Sequence, residues 1–169
     1  MSTKTRVLLG EQSTLTLATI AILFGIFTIA LETAFHLPVR LPGHRAFPGA
    51  LALVMFAQVF APLVLIGFAT SVSAISVLGG HSPWLAMGVW ILTALGLWGL
   101  KNTKIGNSIA FFLVGGLLFG LLRYLSVSKG FHHTPELMRI AGHLGFGLLG
   151  GLTSFGVSKA AGLKAPASN

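Results

Sequence analysis

Apolar residues in this chain come in long blocks, and the charged residues sit at the block edges. A helix rises 1.5 Å per residue, so about 20 apolar residues cross about 30 Å of hydrocarbon. Four blocks match that requirement directly: Thr14–Phe35, Pro83–Leu100, Asn107–Tyr124 and Glu136–Ser158. The 35-residue stretch Ala46–Gly80 has no formal charge. As one helix it would be about 52 Å long. Pro62, near its middle, lacks a backbone donor and disfavours helix in the residue before it. The stretch therefore divides into two short helices, about Pro48–Ala61 and Leu63–Leu78, with one kinked, tilted helix as the alternative. The pattern predicts an all-α fold: an integral membrane six-helix bundle with two short middle helices, in a single transmembrane domain over residues 1–169.

Composition supports the same class. Of 169 residues, 54% are hydrophobic and 8% charged, whereas about a quarter of a soluble domain is charged. The apolar content excludes a disordered chain. The absence of Cys excludes a disulfide scaffold, a thiolate metal site and a cysteine nucleophile. The net charge of +8 does not point to nucleic acid, because the cations are scattered between apolar runs rather than gathered in a stripe. Lys4 and Arg6 precede the first apolar block as they would in a signal peptide. That block is too long for a signal core and ends without a small-residue cleavage site, so it reads as a retained span.

Charge placement favours six spans over five. With six, and both termini cytoplasmic, Lys4, Arg6, Lys101, Lys104, Lys159 and Lys164 lie inside; five spans would move Lys101 and Lys104 outside and erase the excess. His36, His44, His81, His132 and His133 then share the outer face, while the inner mouth carries solvated lysines. Polar chemistry converges on one end, which suggests a solute site entered from outside.

The first outer loop, His36-Leu-Pro-Val-Arg40-Leu-Pro-Gly-His44-Arg45, is stiffened by proline and carries two guanidinium forks suited to carboxylate or phosphate. It reads as a wall of a ligand pocket, or alternatively as a loop anchored to lipid headgroups. The Leu41-Pro-Gly-His-Arg45 motif feeds a small-residue-rich second span within a six-span layout. In this the chain resembles the substrate-binding S components of energy-coupling factor transporters. The resemblance implies binding of a vitamin or other micronutrient near the outer side, and partnership with a transmembrane coupling protein and cytoplasmic ATPases. It also implies that the site is formed by the loops His36–Phe47, Gly79–Pro83 and Leu125–Pro135. Small residues on the first helix would contact the coupling protein: Ala18, Ala21 and Gly25 are the matching positions, with packing inside the chain as the other use of such spacing.

Glu32 and His36 are four apart and share a helix face. An acid in a span costs about 2.5–3.5 kcal/mol on insertion scales, which makes it functional by default. Glu32 could pair with Arg40, Arg123 or Arg139, or meet the ligand. The expected solute contacts are Glu32, His36, Arg40, His44, Arg45, His81, Trp84, Arg123 and Arg139, with Phe47 and Tyr124 as further aromatic lining. The arginines disfavour a divalent cation, and an organic anion or polar heterocycle suits them better; no metal or cofactor is expected. His143, in a glycine-rich last helix, reads as a histidine hydrogen-bonded within the bundle. Gln58 and the Thr70–Ser73 cluster read as hydrogen bonds between helices. There is no phosphate-binding loop, no nucleophile elbow and no Asp at all, so an enzyme is not expected. The sequence thus predicts a solute-binding membrane component. The alternative is a structural or cofactor-holding subunit of a larger membrane complex, centred on His143.

Overall fold

A computed structural model describes residues 14–34, 41–59, 62–78, 83–106, 108–127 and 135–162. Every regular element among them is a helix: α1 Thr14–Ala34, α2 Ala46–Val59, α3 Pro62–Leu78, α4 Pro83–Lys101, α5 Ile109–Val127 and α6 Glu136–Ala160. In apolar blocks the backbone amides have few partners but one another, and a helix pairs them locally. Proline marks the starts. Pro62 and Pro83 are the first residues of α3 and α4, Pro48 lies in the first turn of α2, and Pro135 immediately precedes α6. A missing N–H costs nothing at a helix start. The long neutral stretch accordingly yields two helices separated at Pro62.

Several helix boundaries differ by one to three residues from the sequence expectation, those of α2 and α5 among them. Helix α2 starts at Ala46 because the preceding turn runs into it, through Ala46 N–H to Gly43 C=O (2.7 Å) and Phe47 N–H to His44 C=O (3.2 Å). Helix α5 starts at Ile109, not Asn107, and runs on to Val127, which places Arg123 within the helix rather than at its end. Counted among the described residues, two helices are long and apolar enough to cross a membrane: α5, over Ile109–Ser126, and α6. Helices α1 to α4 contribute shorter apolar stretches.

Helix α2 occupies the centre. It touches each of the other five helices, and Ala50, Leu53, Val54 and Ala57 on one face, Ala52 and Phe56 on the opposite face, and Gln58 between them are all buried. A helix apolar on all sides has no solvent face and belongs in the middle of a bundle. At 14 residues it is about 21 Å long.

The directions follow from paired residues. Gly25 of α1 faces Ser71 and Val72 of α3, and Ala21 faces Gly67, so these helices run parallel. Gly150 and Ser154 of α6 meet Phe47–Leu51 of α2, also parallel, and Ser154 Oγ donates to the Leu51 carbonyl at 2.7 Å. The α5–α6 pair is antiparallel, with Phe112, Gly116 and Gly120 descending against Gly151, Gly147 and His143. Edge-to-face rings cross the bundle from α1 to α5: Phe24, Phe56, Phe68, Trp90 and Phe119, at centroid separations of 4.6, 5.1, 6.2 and 5.0 Å. Such pairs add about 0.5–1.5 kcal/mol each beyond their buried area.

Three sequence expectations change here. Ala21 is buried and Gly25 is spent on α3, so of the two uses weighed for the small residues on α1, packing inside the chain is the one these two make. Ala18 lies on the same helix, with its side chain outside the described residues. Lys101 is half-buried, not a solvated lysine: its ammonium donates to the carbonyls of Ala57 (2.8 Å) and Gln58 (3.2 Å) at the end of α2. Thr70, Ser71 and Ser73 each donate to the carbonyl four residues back in α3, rather than serving only as links between helices. Gln58 does reach across, from Nε2 to the Gly106 carbonyl at 3.0 Å.

Candidate functional site at the His143 end

The turn before α2, the C-terminal half of α5 and the first turns of α6 meet at one end of the bundle. The turn is held by its own sequence. Gly43 has φ +81°, a left-handed conformation that glycine adopts without strain. A side chain there would also strike the backbone of Gly142 and His143. Gly142 in turn leaves room for the Pro42 carbonyl. The Leu41–Arg45 motif is thus a packing motif, seated in a notch of α6. It fixes His44, whose Nδ1–H donates to the Leu41 carbonyl at 2.7 Å.

His143 lies beneath this turn and is 3% exposed. Its Nδ1–H donates to the Arg139 carbonyl at 2.8 Å, one helical turn back. Its imidazole stands edge-on to the Tyr124 ring at 5.8 Å, and its own carbonyl abuts Gly120 of α5. The expectation of a histidine hydrogen-bonded within the bundle holds. Tyr124 Oη donates to Glu136 Oε1 at 2.8 Å, tying the end of α5 to the start of α6. Glu136 is also well placed for the positive end of the α6 dipole. The guanidinium groups of Arg123 and Arg139 and the ring of His44 are close enough to act electrostatically on His143.

Of the residues expected to contact solute, His44, Arg123 and Arg139 are brought together around His143. Arg45 is exposed at the entry to α2. Glu32 and Trp84 lie in the last turn of α1 and the first turn of α4, and their side chains are outside the described residues. His36, Arg40 and His81 lie outside the described residues altogether, as do His132 and His133. Glu136 was not among the expected contacts. Its signal was present, since Tyr124 and Glu136 flank the same loop and an acid opens the last helix. Among the described residues no group of three or more His, Cys, Asp and Glu is placed to hold a metal ion.

Removing the Tyr124 hydroxyl is expected to loosen this junction without unfolding the bundle. Tyr124→Phe keeps the ring against His143 and loses one hydrogen bond to an exposed carboxylate. Thermal unfolding in detergent should fall by a few degrees, and Glu136→Gln should show a similar or smaller drop. Additive losses in the double variant would show that the two groups do not act as a pair.

Deeper in the bundle, Trp90 buries its indole Nε1–H with no acceptor among the described residues. An unpaired buried donor costs about 1–3 kcal/mol.

No protein-family model, curated protein or solved structure matches this chain.

Proposed function

We propose that this chain is an integral membrane protein that binds a small polar solute at the His143 end. The observation that carries the reading is the convergence of His44, Arg123, Tyr124, Glu136, Arg139 and His143, from three elements, at one end of an otherwise apolar bundle. Membrane insertion is supported by where the apolar surface points. Only 39% of the α5 apolar window and 28% of that in α6 is buried, whereas the core helix of a soluble protein would hide most of its apolar residues. Leu117 and Leu121 on α5, Leu149 and Leu152 on α6, and Ile22, Leu23, Ile26 and Phe27 on α1 face outward. Soluble monomers rarely expose apolar surface on that scale. Charged residues of the described helices stay near the two ends, where headgroups and water can solvate them.

With both termini cytoplasmic, the His143 end faces outward and the Lys101 end inward. The chain then acts as the solute-binding component of an uptake system resembling energy-coupling factor transporters. A second membrane protein and cytoplasmic ATPases would drive release, since this sequence carries no nucleotide-binding loop.

Purification from membranes, followed by mass spectrometry of small molecules released on denaturation, tests binding. Uptake of the recovered solute by cells tests transport. Alanine at Glu32, Arg40 and Arg45 together should reduce uptake at least tenfold while leaving the protein in the membrane fraction. Uptake equal to the parent chain would remove the outer loop from the site. Extraction of the parent chain by alkaline carbonate would remove the membrane assignment.

A further inference from the structure

The helices around α2 do not close on one another everywhere. Passing round the bundle, α6 packs on α5, α5 on α4, α4 on α3 and α3 on α1. No comparable packing joins α1 to α6 among the described residues. The ring is open at that junction.

The central helix carries a mark of the same opening. Over residues 46–58 of α2 every residue is buried except Phe47, Leu51 and Met55, which are half-buried. They are four residues apart, so each is turned only about 40° from the last and the three form one stripe. On one side of the stripe, Phe56 touches Phe24 of α1. On the other side, Val54 faces Gly115 of α5, and Gly150 of α6 sits on Ala50 and the Phe47 carbonyl. The stripe is therefore the floor of an apolar groove between α1 and α6.

Two features of the groove select its occupant. Helices that pack together in membranes approach over small residues, whereas this floor offers Phe, Leu and Met. From Phe47 to Met55 it is about 12 Å long, close to one leaflet, which is about half of the 30 Å hydrocarbon. It stops short of Gln58, which is buried against the Gly106 carbonyl. A spanning helix needs the full depth of the bilayer, and a single acyl chain does not. At the other end of the floor, two residues before Phe47, Arg45 is exposed. The headgroup of such a chain would lie there, and a guanidinium suits its phosphate.

We propose that one acyl chain of a phospholipid, from the leaflet at the His143 end, lies along Phe47, Leu51 and Met55 between α1 and α6, with its phosphate at Arg45. The proposal rests on the membrane reading above and is independent of the solute. The chain fills the seam that the helices leave and completes the cover of α2. Met55 suits this contact, because an unbranched thioether adapts to an irregular neighbour.

The test uses the full chain, purified in mild detergent and given phosphatidylglycerol before native mass spectrometry. Retention of a single lipid per chain, after washing has removed the rest, is expected. Leu51→Trp plugs the groove with its side chain and leaves the Leu51 carbonyl to Ser154. It should lose the retained lipid while remaining helical by circular dichroism, and Arg45→Gln should weaken retention. A second measurement keeps the parent chain, in nanodiscs holding phosphatidylglycerol with a photoactivatable acyl tail. Cross-links should concentrate on Phe24, Leu51 and Met55 rather than spread over outward residues such as Leu117 and Leu121.

No retained lipid, undiminished retention in either variant, or evenly spread cross-links overturns the proposal. So does a polypeptide held in place of the lipid, whether a second copy or another chain. If Leu51→Trp does not fold, the cross-links in the parent chain decide. Release of the chain by alkaline carbonate would sink the membrane reading itself, whereas a chain that stays in the membrane with an empty groove overturns only the lipid.

Discussion

Gly147→Val and Gly151→Val are each expected to separate α5 from α6 and leave little folded protein. At both positions an added Cβ would lie well inside contact distance of a backbone carbonyl, that of Gly116 for Gly147 and that of Phe112 for Gly151. Backbone atoms cannot rotate aside as a leucine tip can. Relief requires moving a whole helix, and the α6 helix is wedged, with Gly150 at the same time only 2.6 Å, measured from an added Cβ, from the Phe47 carbonyl of α2. Shifting α6 away from α5 therefore drives it into α2. The cost should be about 3 kcal/mol or more, the upper end for overpacking. Size-exclusion profiles and thermal unfolding in detergent would report it as aggregation or a lost transition. Gly145→Ala and Gly156→Ala supply the control, because an added Cβ at either meets nothing within 4 Å. Both should match the parent chain or gain up to about 1 kcal/mol from helix propensity. A folded Gly151→Val protein with an unchanged transition would show that the α5–α6 crossing is not as drawn.

That contrast also shows which parts of the fold could be read from residues. Six helical blocks and the division at Pro62 follow from local chemistry, because apolar runs and a missing N–H act wherever they occur. The glycine-rich last helix signals close packing, again from composition. Which glycine meets which neighbour is set by rotation about the α6 axis, and spacing alone leaves that open. The same limit governs α1. Ala21 and Gly25 have the spacing of a helix-contact stripe, but only the three-dimensional arrangement turns that stripe toward Gly67, Ser71 and Val72. The centrality of α2 is a further case: its lack of formal charge was visible, yet that neutrality fits a short helix at any position in the bundle.

At the His143 end, the resemblance directed attention to the Leu41–Arg45 loop, and the fold gives that loop a packing reason. Pro42 and Gly43 are there because Gly142 and His143 are opposite. Arg123, Arg139 and His44 were legible as candidates because ionisable groups are rare in so apolar a chain. Glu136 escaped because it sits at a helix boundary, where an acid is ordinarily explained by the helix dipole.

Lys101→Met is expected to destabilise the opposite end by about 2–3 kcal/mol, although it replaces a charged residue by an apolar one of similar length. Hydrogen bonds from a charged donor contribute about 1.5–3 kcal/mol, and this ammonium serves two carbonyls, those of Ala57 and Gln58. Those carbonyls belong to the last turn of α2, where no following helical N–H reaches them. Residues 52–58 of α2 are mostly buried, so water is a poor substitute once the lysine is gone. The ammonium also lies at the negative end of the α2 dipole, which favours its charge. Gln58 adds a second tie, from its side chain to Gly106 in the α4–α5 turn. That turn is closely folded onto Lys101, since a Cβ at Gly106 would strike the Lys101 backbone. Losing the lysine should therefore free the α4–α5 turn as well as the end of α2. Hydrogen exchange should rise across residues 57–58 and 102–106, and the unfolding temperature should fall. Lys104→Met, at an exposed position of the same turn, removes the same charge and should do neither, as expected for a solvated lysine. Equal behaviour of the two variants would mean that net charge at this end, rather than closure of the central helix, is what Lys101 supplies.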